Sequence, residues 1–157
     1  MKEIKLTKGY VALVDDDDFE RISAHKWCAD ASAKRRVYAL RRDGNKLVRM
    51  HIEIIGRRDG LEIDHINGNG LDNRKSNLRF CTRSQNRMNG RKNVDGTSGF
   101  KGVTKSSSKS KPWHAHIRYN GITKHLGNYS TPEAAARAYD EAAIKLHGEF
   151  CNLNFAT

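Results

Sequence analysis

Cysteine is scarce: Cys28, Cys81 and Cys151 are the only three in 157 residues, and they are far apart. An odd, scattered set of thiols does not make a disulfide framework and suits a reducing compartment, so the expected location is cytoplasmic. No C-x-x-C pair occurs, which argues against a zinc knuckle. Long hydrophobic runs are missing as well. No stretch approaches the ~20 apolar residues of a membrane-spanning helix. The opening MKEIKLTKGYVALVDDDD has neither the apolar core nor the cleavage site of a signal peptide. No membrane partner is expected. Internal repeats are absent too, and SSSKSK at 106–111 is only a short low-complexity loop.

Acidic residues are the minority, with 18 Asp and Glu against 29 Lys and Arg, for a net charge of +11. The excess is spread out. Residues 1–88 carry 19 basic and 13 acidic groups, and residues 89–157 carry 10 and 5. Such a balance speaks of partners rather than of fold. A polyanion touched by both halves is the simplest explanation, and nucleic acid is the usual one.

The element pattern is α+β. VALV at 11–14 is a short strand. DDDDFERISAHKW starts a helix with Asp16 or Asp17 as N-cap, a reading preferred to a metal site made of the four aspartates. RRVYALRRDGNKLVRM reads as strand, Asp43-Gly44 turn, strand, and IGRRDG as a turn. The polar, Gly-containing run 89–99 reads as a linker. Beyond it FKGVTK, PWHAHIRYN and ITKHLGNY read as three strands, with Asn120-Gly121 turning between the last two. Trp113, Ala115 and Ile117 alternate with His114, His116 and Arg118, so the first set packs inward and the second projects outward. STPEAAARAYDEAAIKLHGEF is a helix with Thr131 as N-cap, Pro132 in the first turn and Gly148 at its stop. Ala135, Ala138, Tyr139, Ala142 and Leu146 fall on one face. The expected division is a first domain over 1–90, a linker over 91–98 and a second domain over 99–157.

FKGV, WHAHIR, LGNY, EAAARAYDEAAIKLHG and LNF occur in this order and spacing over about residues 99–155. They resemble the plant Apetala-two/ethylene-responsive-factor DNA-binding domain. The resemblance implies a three-stranded antiparallel sheet packed on one helix, with the sheet in the DNA major groove. Its DNA-facing residues would be Lys101, His116, Arg118, Thr123 and His125, with His114 in the same outward row. Thr104, His116 and His125 stand where plant members commonly carry Arg, Glu and Trp, so the plant target sequence is not transferable.

The segment 62–90, EIDHINGNGLDNRKSNLRFCTRSQNRMNG, holds an Asp-His pair, six Asn, four Arg and no long apolar run. Cutting a phosphodiester needs a base for water, a cation for the charge growing on phosphate, and a scaffold to hold both. This segment reads as strand, turn-rich loop, strand and helix start. Asp64-His65, Asn77 in SNL and Asn86 in SQN resemble the HNH nuclease family, in the phage homing-endonuclease type whose third letter is Asn. VALVDDDDFE, Lys26-Trp27 and Met50-His51 resemble the leader of such proteins.

The resemblance implies a ββα-metal (His-Me finger) module that cuts double-stranded DNA in a bacterial or phage-infected cell. His65 would be the general base, and an ordinary imidazole, with pKa about 6.5, is mostly neutral at pH 7. Asp64 and Asn86 would hold one divalent ion; the alternative for Asn86 is a helix-capping residue. A carboxylate and an amide oxygen are hard ligands that favour Mg²⁺ or Mn²⁺ over zinc. Asn77 would brace the loop by side-chain to backbone hydrogen bonds. Arg74, Lys75, Arg79, Arg83 and Arg87 would grip phosphates. His51 is left as structural or near the site. A monomer or weak dimer is expected. The alternative function is a DNA-binding regulator whose nuclease fold is inactive.

Overall fold

The structure, a computed structural model, describes residues 1–33, 36–90 and 97–155. Positions 91–96 of the expected linker lie outside the described residues. The chain forms two compact units, Met1–Asn86 and Arg87–Thr157.

The first unit begins with a two-stranded ribbon, β1 (Lys2–Lys5) antiparallel to β2 (Val11–Val14). In β2 the alternation of VALV buries Ala12 and Val14 completely. Helix α1 (Asp16–Ser23) follows, with three acidic residues in its first turn, where they complement the positive end of the helix. A meander of β3 (Cys28–Ala33), β4 (Arg36–Asp43) and β5 (Lys46–Arg49) comes next, with the expected Gly44 turn between β4 and β5. Helix α2 (Met50–Ile55) leads to the hairpin of β6 (Glu62–His65) and β7 (Leu78–Cys81). Helix α3 (Arg83–Met88) closes the order expected for 62–90 and carries the boundary between the units. One core joins these pieces around Val14, Ile22, Trp27, Met50 and Leu78. The Trp27 indole N–H donates to the Ile22 carbonyl at 2.8 Å, which fixes the chain where α1 has ended. Strands β1 and β3 and helix α2 had no counterpart in the sequence reading.

The second unit has β8 (Val103–Lys105), β9 (Trp113–Tyr119) and β10 (Ile122–Tyr129) in the order β10-β9-β8, all antiparallel. Asn120 and Gly121 both have positive φ, 49° and 79°, which is what a two-residue turn matched to strand twist requires. Helix α4 (Pro132–His147) starts at Thr131, whose hydroxyl accepts from the Ala134 amide at 3.2 Å. It packs on the side of the sheet that carries Ala115 and Ile117. The buried stripe is Ala135, Ala136, Tyr139, Asp140, Ala143 and His147, wider than expected, with Ala138, Ala142 and Leu146 half-buried at its margin. Gly102 lies under this helix with φ +72°, and a Cβ there would meet the Tyr139 ring at 2.0 Å. The Asp140 carboxylate accepts from the backbone amides of Asn154 and Phe155, closing the unit with its last residues.

Candidate functional site

The register of the β6–β7 hairpin pairs Asp64 with Arg79 and His65 with Leu78. Both Asp64 and His65 are 6% exposed. Strand alternation puts Glu62 and Asp64 on one face and turns His65 to the other. The His65 ring sits in an aromatic cage. His51 meets it edge-on with centroids 5.1 Å apart, and Tyr38 is 5.8 Å from each of the two rings. Gly70 lets the loop pass over β4, since a Cβ there would lie 2.5 Å from the Val37 carbonyl and 2.7 Å from the Tyr38 ring.

Asn73, 1% exposed, fixes the orientation of His65. Its Oδ1 is 3.3 Å from His65 Nε2, and its own amide nitrogen donates to the Leu71 carbonyl. The oxygen is therefore the atom facing the imidazole, which puts the ring proton on Nε2. Burial holds the His65 pKa below the usual imidazole range, so the ring is neutral at pH 7. Burial pushes His51 down to about 3, and the adjacent His65, Arg49 and Arg57 oppose its charge further.

The loop between the strands is a hydrogen-bonded scaffold. Asn77 Oδ1 accepts from the Asn67 amide at 3.0 Å, and Nδ2 donates to Asn67 Oδ1 and the Asp72 carbonyl. Asp72 accepts from Asn67 and from both arms of Arg74. Leu13 of β2 clamps the loop by two backbone bonds of 2.8 Å, to Leu71 and Asn73. The aspartate run adds a second clamp. Asp15, not Asp16 or Asp17, is the N-cap of α1, and its carboxylate accepts from the Lys75 amide at 2.7 Å instead of capping the helix. Asp18 is buried and ion-pairs with Arg21 and Lys75.

On the Glu62 and Asp64 face, Arg79 donates to one Asp64 oxygen from Nε and Nη2 at 3.0 and 2.8 Å. Asn86 Nδ2 donates to Glu62 at 2.6 Å. Helix α3 is capped by Thr82, whose hydroxyl accepts from the Gln85 amide while Gln85 Oε1 accepts from the Thr82 amide. Asn86 is thus not the capping residue. The oxygen donors of this face are Glu62, Asp64 and Asn86, a set chemically suited to a hard divalent ion. Among the described residues no group of three or more His, Cys, Asp and Glu is arranged to hold a metal.

The expected phosphate contacts separate into two kinds. Arg74, Lys75 and Arg79 each have a carboxylate partner inside the unit: Asp72, Asp18 and Asp64. Arg83 and Arg87 are exposed. On the open face of the second sheet, His114 stacks with His116 and with His125 at centroid distances of 5.3 and 4.5 Å. Arg118 and Thr123 lie opposite each other, both exposed. Lys101 is a correction. Its ammonium is not on that face; it donates to the carbonyls of Met88 and Gly90, 6.0 Å from the Tyr139 ring, and burial lowers its pKa to about 8. The sequence reading missed Asn73, Asp72 and Glu62. Only Glu62 left a signal, two residues before Asp64 and so on the same strand face.

A family model described as HNH endonuclease matches residues 56–88. Over 148 residues, 94% of this chain, the sequence is 34% identical to an HNH endonuclease of Acanthamoeba polyphaga mimivirus, and the match covers 76% of that protein. A second kind of relative matches only part of the chain. APETALA2-like protein 2 of Oryza sativa is 42% identical over 59 residues, 38% of this chain and 13% of the rice protein. An ethylene-responsive transcription factor of Arabidopsis thaliana is 52% identical over 60 residues, 37% of this chain and 25% of that protein. No solved structure matches the chain.

Proposed function

The chain belongs to the HNH endonucleases, and from that premise we propose that it is a metal-dependent DNA endonuclease of the homing type, which cuts with β6, β7 and α3 and finds its site with the C-terminal sheet. The observation that carries this reading is the setting of His65. A neutral imidazole with its Nε2–H directed at Asn73 Oδ1 carries its lone pair on Nδ1, the atom that would take the proton from water. His51, Tyr38 and Asn73 hold the ring, so little reorganisation is needed when the proton moves.

Asp64 and Asn86 would hold one Mg²⁺ or Mn²⁺, with Glu62 beside them and the hydrogen bond from Asn86 Nδ2 to Glu62 presenting Oδ1 as the ligand atom. Bound there, the ion would stabilise the charge that grows on the phosphate and the leaving oxygen. Asn77 holds the loop between the two strands and so keeps Asn73 under His65. The products would be 5′-phosphate and 3′-hydroxyl ends. One such site acts on one strand at a time, so a double-strand break needs a second subunit or a second turnover.

The likeness to an ethylene-responsive transcription factor of Arabidopsis thaliana supports the second unit as the DNA-binding part. His114, His116, Arg118, Thr123 and His125 are the outward groups that would meet base edges and phosphates. Conversion of supercoiled plasmid to nicked or linear DNA tests the nuclease reading. EDTA is expected to stop it, Mg²⁺ or Mn²⁺ to restore it, and zinc alone to leave it silent. Cutting at full rate in EDTA would overturn the metal assignment.

A further inference from the structure

We propose that a pocket beside the catalytic hairpin binds the DNA strand flanking the scissile phosphate, with Arg49, Arg57 and Arg58 as its phosphate contacts. This rests on the nuclease reading and adds the path of the substrate through the first unit.

The pocket has a volume of about 550 Å³, within the range of about 300–1,000 Å³ typical of sites for small groups. A volume of this size suits a short stretch of one strand of the duplex rather than both strands. The three arginines line the pocket together with Tyr38 and His51, and Glu62 and Asn86 line the same pocket. Glu62 and Asn86 belong to the face of the hairpin that would hold the ion, and His51 packs edge-on against the His65 ring. A strand lying in the pocket therefore leads into the reacting centre.

The arginines are prepared for an anion. Arg57 and Arg58 stand between Gly56 and Gly60, both at positive φ (77° and 74°), which turn the chain from α2 into β6. The Arg58 guanidinium lies 4.3 Å over the Phe80 ring, and Arg49 lies 5.9 Å over the Tyr38 ring. Stacking fixes a guanidinium's plane while leaving its edge N–H groups to donate. Among the described residues no carboxylate is within ion-pair distance of Arg49, Arg57 or Arg58, in contrast to Arg41, Arg74 and Arg79. Asp59 and Glu62 also line the pocket, and Glu62 is the one bonded to Asn86, where a divalent ion would offset its charge.

The test uses the full chain and a duplex spanning a cut mapped on plasmid DNA. Single-turnover cutting is measured with each phosphate near the cut replaced, one at a time, by an uncharged methylphosphonate. Wild type is expected to slow about 10-fold at one or more flanking positions. The Arg57→Ala/Arg58→Ala and Arg49→Ala variants should slow about 10-fold on natural DNA, with no further slowing at those positions, because the arginine and the phosphate charge it meets form one interaction. Arg57→Lys/Arg58→Lys should fall between. Hydrolysis of bis(p-nitrophenyl) phosphate, which has no flanking phosphates, should fall clearly less than cutting of natural DNA in every variant, which separates loss of the strand contact from damage to the reacting centre. Variants as sensitive as wild type to every methylphosphonate, or slowed equally on the small diester, overturn the proposal. A wild type that cuts neither substrate would remove the nuclease reading itself and the proposal with it.

Discussion

The β6–β7 hairpin and the β8–β10 sheet are both antiparallel, both rich in polar side chains, and opposite in how they place them. The hairpin and its loop bury Asp64, His65, Asp72, Asn73 and Asn77. The sheet buries Val103, Ala115 and Ile117 against α4 and leaves His125, Arg118 and Thr123 in solvent. Burying a polar group costs about 1–3 kcal/mol unless it is hydrogen-bonded, so the hairpin is stable only because its bonds are nearly all made. What that arrangement provides is geometry: each ring and amide has one orientation. The open sheet holds its outward residues loosely and can change them at little cost in stability. One region suits a reaction, the other suits a changeable target.

The sharpest way to break the contrast is His65→Ala. Loss of a general base typically costs about 10²–10⁴-fold, and cutting should fall by that much while filter binding of DNA stays within about twofold. Cutting within threefold of wild type would remove His65 from its role. Next comes Gly102→Ala, which tests whether the sheet tolerates change on its buried side. Positive-φ strain of about 1–2 kcal/mol adds to overpacking of about 1–3 kcal/mol against Tyr139, and hydrogen exchange of the β8–β10 amides should accelerate accordingly. Asn77→Ala is third. It orphans the Asn67 amide and the Asp72 carbonyl, so the first unit should lose about 1–3 kcal/mol in denaturant titration and cut more slowly at permissive temperature. Arg118→Ala is the mildest. The fold should be untouched, and the log–log salt slope of binding should flatten by about 0.9, the value for one phosphate that the protein no longer neutralises.

The second unit was legible because its signals are local. Alternation in WHAHIRY, the Asn120-Gly121 turn and Thr131-Pro132 at the helix start each act within a few residues. Asp64, His65 and Asn86 were legible from a motif whose spacing the strand–loop–strand–helix order sets. What decides among six equivalent asparagines is not local. Asn73 lies under His65 because Leu13, sixty residues earlier, pairs with its backbone. The partner of Lys75 is a distant aspartate, and the partner of Arg79 is chosen by the β6–β7 register. Strands β1 and β3 escaped notice because KEIK and CADASA carry almost no continuous apolar surface. Lys101 was placed on the wrong side because the positive φ of Gly102 redirects the chain just before β8.

The tie between Lys101 and Asn154 has a consequence for how such a module travels between genes. The Asn154 side chain accepts from the Lys101 amide at 2.7 Å and donates to its carbonyl at 3.0 Å, while Asp140 holds it from below. The entry and the exit of the sheet-and-helix unit are therefore side by side. A piece whose two ends meet can be spliced into a surface loop or appended to an unrelated chain without stretching either partner. The same arrangement fits a match that takes up only 13% and 25% of the length of two plant relatives, while here the unit accompanies a nuclease.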